Sequence, residues 1–264
     1  MTDLLILLAV SLAVSAVGWK YFIYFFSIGY GYGVAALAVT MGIMYHNSLS
    51  VPTIVLLALL FIFGCRLGTY LFVRERKAAA YRKILYDPSL QQKKPMSVVL
   101  MVWLFCAILY VFQVSPVAFR LSNTALESNL WAWIGAAVML CGILLESISD
   151  AQKSAAKKRN PKRFVDTGLY RIVRCPNYLG EVVIWTGVFL SGIGAGLAVW
   201  QWTVAAIGYL GILYVMFSGA RRLELRQNEV YGSDSEYQAY IKHTPILIPL
   251  LPLYSVEKYK WLQA

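Results

Sequence analysis

Residues 146–181, ESISDAQKSAAKKRNPKRFVDTGLYRIVRCPNYLGE, decide how this chain is read. The stretch lies between two apolar segments, is crowded with lysine and arginine, and begins and ends on a carboxylate, Glu146 and Glu181. Pro176 and Asn177 open an apolar segment, with proline in its favoured first-turn place. The stretch therefore reads as a polar connection between two membrane helices. A plain connection has no need of that composition, so it is expected to hold a large anionic cofactor at the membrane surface.

The surrounding composition agrees with a membrane setting. The 264 residues are 59% hydrophobic and 14% charged, with a mean hydropathy of +0.61; about 25% charged is usual for a soluble domain. Long apolar runs predict an all-α, polytopic membrane helix bundle forming one domain over 1–264. Its seven spans are expected near 3–19, 27–46, 51–72, 96–114, 130–147, 178–199 and 202–220, with a tail over 221–264. The first span has no basic n-region and is read as a retained helix rather than a signal peptide. The four cysteines, Cys65, Cys106, Cys141 and Cys175, show no C-x-x-C spacing and read as small hydrophobes, so no metal site is expected.

Orientation follows from the basic residues. Of the 24 lysines and arginines, 21 fall in 73–95, 148–177 and 221–264, which seven spans place on one side. Lys20 joins them, and Arg120 falls in what reads as an ordinary outer connection. The amino terminus is expected outside and the carboxy terminus in the cytoplasm. The net charge of +11 points to anionic lipid headgroups or an anionic ligand. Basic residues set directly against spans argue against nucleic acid.

Within the spans, Gly29-Tyr30-Gly31-Tyr32-Gly33 lacks the full dinucleotide fingerprint and follows no strand. Gly29 and Gly33, four apart, suit close helix packing in lipid. Arg66 lies about two turns inside the third span, where an arginine is costly and marks a candidate site; the bland alternative is snorkelling to the surface. Arg66, Tyr70 and Arg74 share helical spacing, with Tyr81 nearby. Glu146 and Asp150 share a helix face, followed by Lys153 and Lys157; for each of these alone a solvated helix end is the blander reading. Asp166-Thr167-Gly168 reads as a turn, and Arg171 and Arg174 are spaced for a double phosphate contact. Asn177 and Glu181, four apart, offer an amide and a carboxylate to one ligand group such as a carboxamide. The tail reads as a helix to about Val230, a turn at Gly232, and a short amphipathic helix with Tyr237 and Tyr240. It is either a cytoplasmic cap or a surface-bound tail.

At these residues the chain resembles the membrane-embedded steroid 5-alpha-reductase superfamily, in particular its bacterial branch of unassigned reductases of the DUF1295 type. The resemblance rests on Glu146 with Asp150 to Lys153, Asp166 to Tyr170, Arg174, Pro176-Asn177-Tyr178-Leu179-Gly180-Glu181, and Tyr237 and Tyr240 through Thr244-Pro245 to Pro249. Arg66-Leu67, Tyr70-Leu71 and Arg74 also look like the family's third-span pattern. The resemblance implies seven helices, an outside amino terminus and NADPH in a cytoplasmic-side cavity. It implies hydride delivery to the beta carbon of an enone-like, lipophilic, steroid-like substrate, and a bacterial inner membrane (or the endoplasmic reticulum in a eukaryote). Carried over by position, Asn177 and Glu181 hold the nicotinamide end. Arg66, Arg74, Asp150, Lys153, Lys157, Arg171 and Arg174 line the dinucleotide, and Arg222, Arg226, Tyr237 and Tyr240 close the cavity.

Three places depart from the family pattern. Cys175 stands where the bacterial branch usually has histidine, the Gln-Glu pair that grips a steroid 3-keto group is missing, and Phe63 occupies the place of the catalytic tyrosine. Tyr70 and Tyr32 are the candidate acids in its stead, beside Glu181, since a phenol with a pKa near 10 can donate to an enolate oxygen. The rival readings are a methyltransferase of the isoprenylcysteine carboxyl type, using S-adenosylmethionine, and a non-catalytic lipid-binding scaffold. S-adenosylmethionine has no phosphates and does not require four arginines; a scaffold does not require Arg66 and Glu181 within spans.

Overall fold

The computed structural model describes residues 2–77, 94–123 and 129–263; Tyr81, Arg82, Lys83 and Lys93 lie outside the described residues. Helices carry these segments: α1 Thr2–Ser15, α2 Ile28–Met44, α3 Val51–Lys77, α4 Met96–Ser122, α5 Leu130–Arg159, α6 Pro176–Leu190, α7 Val199–Tyr231 and α8 Ser235–His243. No strand occurs among the described residues. Among the described residues, six helical stretches are long and apolar enough to cross a membrane, starting at Thr2, Phe22, Val51, Met96, Leu130 and Val199. The protein is thus an all-helical integral membrane protein.

The sixth expected span, 178–199, differs from its reading. Helix α6 has 15 residues, about 22 Å at 1.5 Å per residue, against a hydrocarbon core of about 30 Å. It ends where the chain reads SGIGAG, with Gly194 at φ 69° and Gly196 at φ 62°, a backbone that only glycine adopts without penalty. One other placement also changes. Arg120 is not in a loop: it is a buried residue of α4. Helix α7 runs unbroken for 33 residues to Tyr231, so the helix expected to about Val230 continues directly from the span expected at 202–220.

The chain folds into two compact units, Met1–Ala136 with Val188–Gly208, and Ala137–Gly187 with Tyr209–Ala264. In the first, α2 and α3 meet backbone to backbone. A Cβ on Gly31 would lie 2.5 Å from the Gly68 nitrogen, and one on Gly64 would lie 2.5 Å from the Gly31 carbonyl oxygen. The expected packing pair is only half right. Gly29 does lie tight against the Tyr24 carbonyl, 2.8 Å from where a Cβ would sit, whereas Gly33 meets only the Tyr110 ring, at 3.6 Å. Serine and tryptophan then tie α1 to α4, through Ser11 Oγ to the Ala107 carbonyl (3.0 Å) and Trp103 Nε1 to the Leu12 carbonyl (3.1 Å). Arg120 donates to the carbonyls of Ser191 (2.9 Å) and Ile193 (3.3 Å), and Asn123 donates to those of Ala195 and Gly196. These bonds satisfy carbonyls of the glycine-rich turn that follows α6.

The second unit is built on a crossing of α5 and α6. A Cβ on Gly142 would meet the Ile184 nitrogen at 2.6 Å, and one on Gly180 would meet Glu146 Cβ at 2.7 Å. Its core gathers Cys175, Ala220, Ile246, Leu247, Val256 and Leu262. Arg174 N and Cys175 N donate to the carbonyls of Pro245 (2.9 Å) and Ile246 (3.0 Å), so the tail lies beside the entry to α6. The Asp234 side chain caps α8 by accepting from the backbone nitrogens of Glu236 and Tyr237.

Candidate functional site

In the second unit, the close approach of Gly180 to Glu146 sets the first turns of α6 directly against α5. The two contacts, 142 with 184 and 146 with 180, run antiparallel and carry Asp150 to the level of Pro176 and Asn177. Glu146, Asp150 and Glu181 are all buried. Beside them, Asn177 Oδ1 is shielded from solvent and has no hydrogen-bond partner. A buried acceptor left open is costly unless something donates to it. The arrangement therefore presents an acceptor at the amino-terminal end of α6, one turn before buried Glu181 on the same helix, and suits a ligand bearing N–H donors.

Arg171 and Arg174 have different surroundings. Arg171 is exposed at the end of the 3-10 turn Gly168–Arg171. Arg174 is 2% exposed. Its Nη2 donates to Glu224 Oε1 at 2.7 Å and also to the Tyr254 carbonyl, while Glu224 Oε2 accepts from Val256 N at 2.8 Å. Nε and Nη1 of Arg174 are buried and have no hydrogen-bond partner, which leaves two donors for a ligand or water. Glu224 reads from the sequence only as one acid of the tail. Its burial, in contrast to Arg222 and Arg226 on the same helix, emerges only once α7 is packed.

The lysines and tail tyrosines hold the loop and tail together. Lys157 Nζ donates to the carbonyls of Arg163 (2.6 Å) and Pro161 (3.3 Å) and to Tyr231 OH (2.9 Å). Lys153 is half-buried one turn earlier. Gln152 Oε1 accepts from Leu169 N at 2.8 Å, under the turn where Gly168 takes φ 63°. Tyr237 OH donates to Asn228 Oδ1 (2.8 Å) and Tyr240 OH to the Tyr170 carbonyl (2.6 Å). Burial pushes the Tyr237 phenol up to about 12 and raises that of Tyr240 further, so both remain neutral donors at physiological pH. Arg222 and Arg226, with Arg221, Glu229, Leu262 and Gln263, line an open pocket of about 520 Å³.

The remaining predicted residues belong to the first unit. Arg66, Tyr70 and Arg74 are half-buried on one face of α3, and the Arg74 guanidinium lies 5.9 Å from the Tyr70 ring centroid. Tyr32 OH is 3.0 Å from Thr69 Oγ1, so α2 delivers the second candidate phenol to the turn of α3 that carries Tyr70. Phe63 is fully buried against Tyr30. Glu75 escaped sequence reasoning. It is fully buried, with Ser27 and Arg74 as polar neighbours, and its spacing from Gly64, Gly68 and Leu71 places it on the stripe that faces α2. Among the described residues no cluster of His, Cys, Asp and Glu could hold a metal ion.

Residues 24–244 match a family described as "Protein of unknown function (DUF1295)". The chain belongs to the DUF1295 family. It is also similar to the uncharacterized protein C594.04c of Schizosaccharomyces pombe, at 30% identity over 128 residues, covering 41% of this chain and 37% of that protein. Similarity to the steroid 5-alpha-reductase DET2 of Arabidopsis thaliana is 33% over 89 residues, 31% of this chain and 30% of that protein. The DUF1295 chain thus spans about a third of the length of the curated relatives it matches. No solved structure matches it. The distant similarity to a steroid 5-alpha-reductase is consistent with the 5-alpha-reductase superfamily.

Proposed function

We propose that this protein is an NADPH-dependent reductase of an activated C=C bond in a lipophilic, enone-like substrate, acting in a bacterial inner membrane with its amino terminus outside. The observation that carries the proposal is the open, buried Oδ1 of Asn177 one turn before buried Glu181 on α6. A carboxamide is one of the few ligand groups that both donates to an amide oxygen and to a carboxylate and accepts in return. Similarity to DET2 supports the same reading.

Bound NADPH supplies a hydride to the beta carbon of the substrate. The roles of the chain are to bind, orient and protonate. Asn177 and Glu181 hold and orient the carboxamide. Asp150, Lys153, Lys157, Arg171, Arg174, Arg222 and Arg226 are the proposed lining for the dinucleotide, and Tyr237 and Tyr240 keep the tail in place. As the beta carbon gains its hydride, electrons move onto the carbonyl oxygen, and the resulting enolate takes a proton. Tyr70 or Tyr32 is the proposed donor, a neutral phenol matched to an enolate oxygen.

The test is turnover of NADPH by purified protein against a panel of lipophilic α,β-unsaturated ketones, with the saturated product identified. Asn177→Ala is expected to weaken NADPH binding by about 10–100-fold, the worth of one or two hydrogen bonds in a buried site. Tyr70→Phe and Tyr32→Phe identify the donor by loss of turnover with NADPH binding intact. An Asn177→Ala variant that turns over like the parent would overturn the assignment.

A further inference from the structure

The last nineteen residues carry a feature that the reductase reading does not use. The tail makes a closed loop after Pro245: Ile246 N donates to the Leu253 carbonyl at 2.9 Å, and Leu251 N to that of Pro249 at 2.8 Å. Ile246 and Leu247 are buried at its base, while Leu250 and Leu251 at its tip are 101% and 51% exposed. Loop tips facing water are polar as a rule, yet 246–253 reads ILIPLLPL without a single charge. Leu250 is also the one non-glycine residue at positive φ, 70°, among the described residues. A backbone held off its preferred region with its side chain thrust outward calls for a functional reason.

The segment after this loop is laid along α7. Asn228 Nδ2 donates to Glu257 Oε2 (2.9 Å), Arg221 Nε to the Glu257 carbonyl (3.0 Å), and Tyr214 OH to the Trp261 carbonyl (3.0 Å). From Asn228 back to Tyr214 the helix rises about 21 Å. The tail therefore runs from the charged end of α7 to a point below its first arginine, Arg221, within a membrane-spanning helix. There Trp261 stacks on Tyr214, their centroids 6.1 Å apart and planes at 20°. Trp261 and Tyr214 are exposed, continuing the outward stripe that includes Leu210, while Val256 and Leu262 hold the segment in the core. Lys258 and Lys260 are exposed between them. Tryptophan and tyrosine at the edge of a span, with lysines alongside, is the composition of a membrane–water interface.

We propose that residues 250–261 form an interfacial anchor that seats this end of the protein in an anionic leaflet, with Leu250, Leu251, Tyr254 and Trp261 among the upper acyl chains and Lys258 and Lys260 at the lipid phosphates. The occupant of this surface is lipid because the surface continues the exposed stripe of a spanning helix and its charges are complementary to an anionic leaflet. This anchor stands independently of the reductase reading.

The test uses the full chain with Cys65 and Cys141 replaced by serine and a nitroxide on Leu250→Cys or Leu251→Cys, in nanodiscs of mixed phosphatidylglycerol and phosphatidylcholine. Lys162→Cys, in an exposed polar loop, serves as the aqueous control. At 250 and 251 oxygen is expected to relax the label more than a water-soluble nickel chelate does, with the order reversed at 162. In discs of phosphatidylcholine alone, or with Lys258→Gln/Lys260→Gln in the mixed discs, that preference for oxygen is expected to shrink. A nickel preference at 250 and 251 equal to that at 162 would place the loop in water and overturn the anchor. Protection from both reagents would overturn it in favour of a protein partner or a second copy. An oxygen preference indifferent to lipid charge and to the lysines would refute the anionic-leaflet assignment.

Discussion

Replacing Glu224 by glutamine removes the charge opposite Arg174 while keeping an amide oxygen that can still accept from Val256 N. In the parent the two side chains are 1% and 2% exposed and 2.7 Å apart. Removing one partner of such a pair strands the other charge in the interior, at a cost of about 3–5 kcal/mol. Glu224→Ala also deletes the acceptor for Val256 N and costs about 1 kcal/mol more. Arg174→Met alone leaves Glu224 as the stranded charge, so the double variant Arg174→Met/Glu224→Gln is expected to recover much of the loss. Reversible unfolding in mixed micelles of the parent, both single variants and the double variant gives the coupling, expected at about 2–3 kcal/mol. Hydrogen exchange supplies an independent readout, since amides of 254–256 are expected to lose protection in Glu224→Ala. A coupling within about 0.5 kcal/mol of zero, with protection of 254–256 unchanged, would refute the buried pair as the clasp that ties the entry of α6 to α7 and holds the tail against both.

Three further outcomes are expected. Gly31→Ala drives a methyl into the backbone of α3 and should destabilise the first unit by about 1–3 kcal/mol, whereas Gly33→Ala, with ordinary contacts only, should be tolerated; thermal unfolding of the two side by side decides this. Gly168→Ala combines a left-handed backbone with displacement of Gln152 Oε1, 2.4 Å from the new Cβ, and is expected to cost about 2 kcal/mol, read as lost exchange protection at Leu169. Because the folded-state value of the Tyr237 phenol is raised to about 12 from about 10 in an unfolded chain, its contribution to stability is complete below pH 10. It is lost as pH rises from about 10 to about 12, since the unfolded chain gives up its proton first. Tyr240 shifts the same way, so unfolding temperature should fall over this range, and less steeply in Tyr237→Phe.

Much of this architecture is written in the apolar runs, because a chain in lipid must close its backbone hydrogen bonds within each span. The break at SGIGAG was present in the sequence too, but hydropathy averages over a short glycine turn and merged α6 with the residues beyond it. What periodicity cannot supply is which stripe of an apolar helix faces a neighbour. For that reason Arg120 and Glu224 read as loop and tail residues, and Glu75 went unnoticed, until packing buried them. Gly31 likewise lay hidden between Gly29 and Gly33, whose spacing fits the helix-packing pattern better than its contacts do. Around the candidate site, the spacing of Asn177 and Glu181 on one helix was legible. The separation of exposed Arg171 from buried Arg174 was not, because it depends on the tail returning to cover Arg174 through Pro245 and Tyr254.

The central claim is that the pocket of Asn177 and Glu181 takes a nicotinamide dinucleotide. Equilibrium titration of the detergent-purified protein with NADPH and, separately, with S-adenosylmethionine tests it most directly. Saturable NADPH binding is expected, weakened by Asn177→Ala and by Glu181→Ala and not displaced by S-adenosylmethionine. Saturable binding of S-adenosylmethionine with none of NADPH would contradict it and favour a methyltransferase, and binding of neither would leave a lipid-bound scaffold.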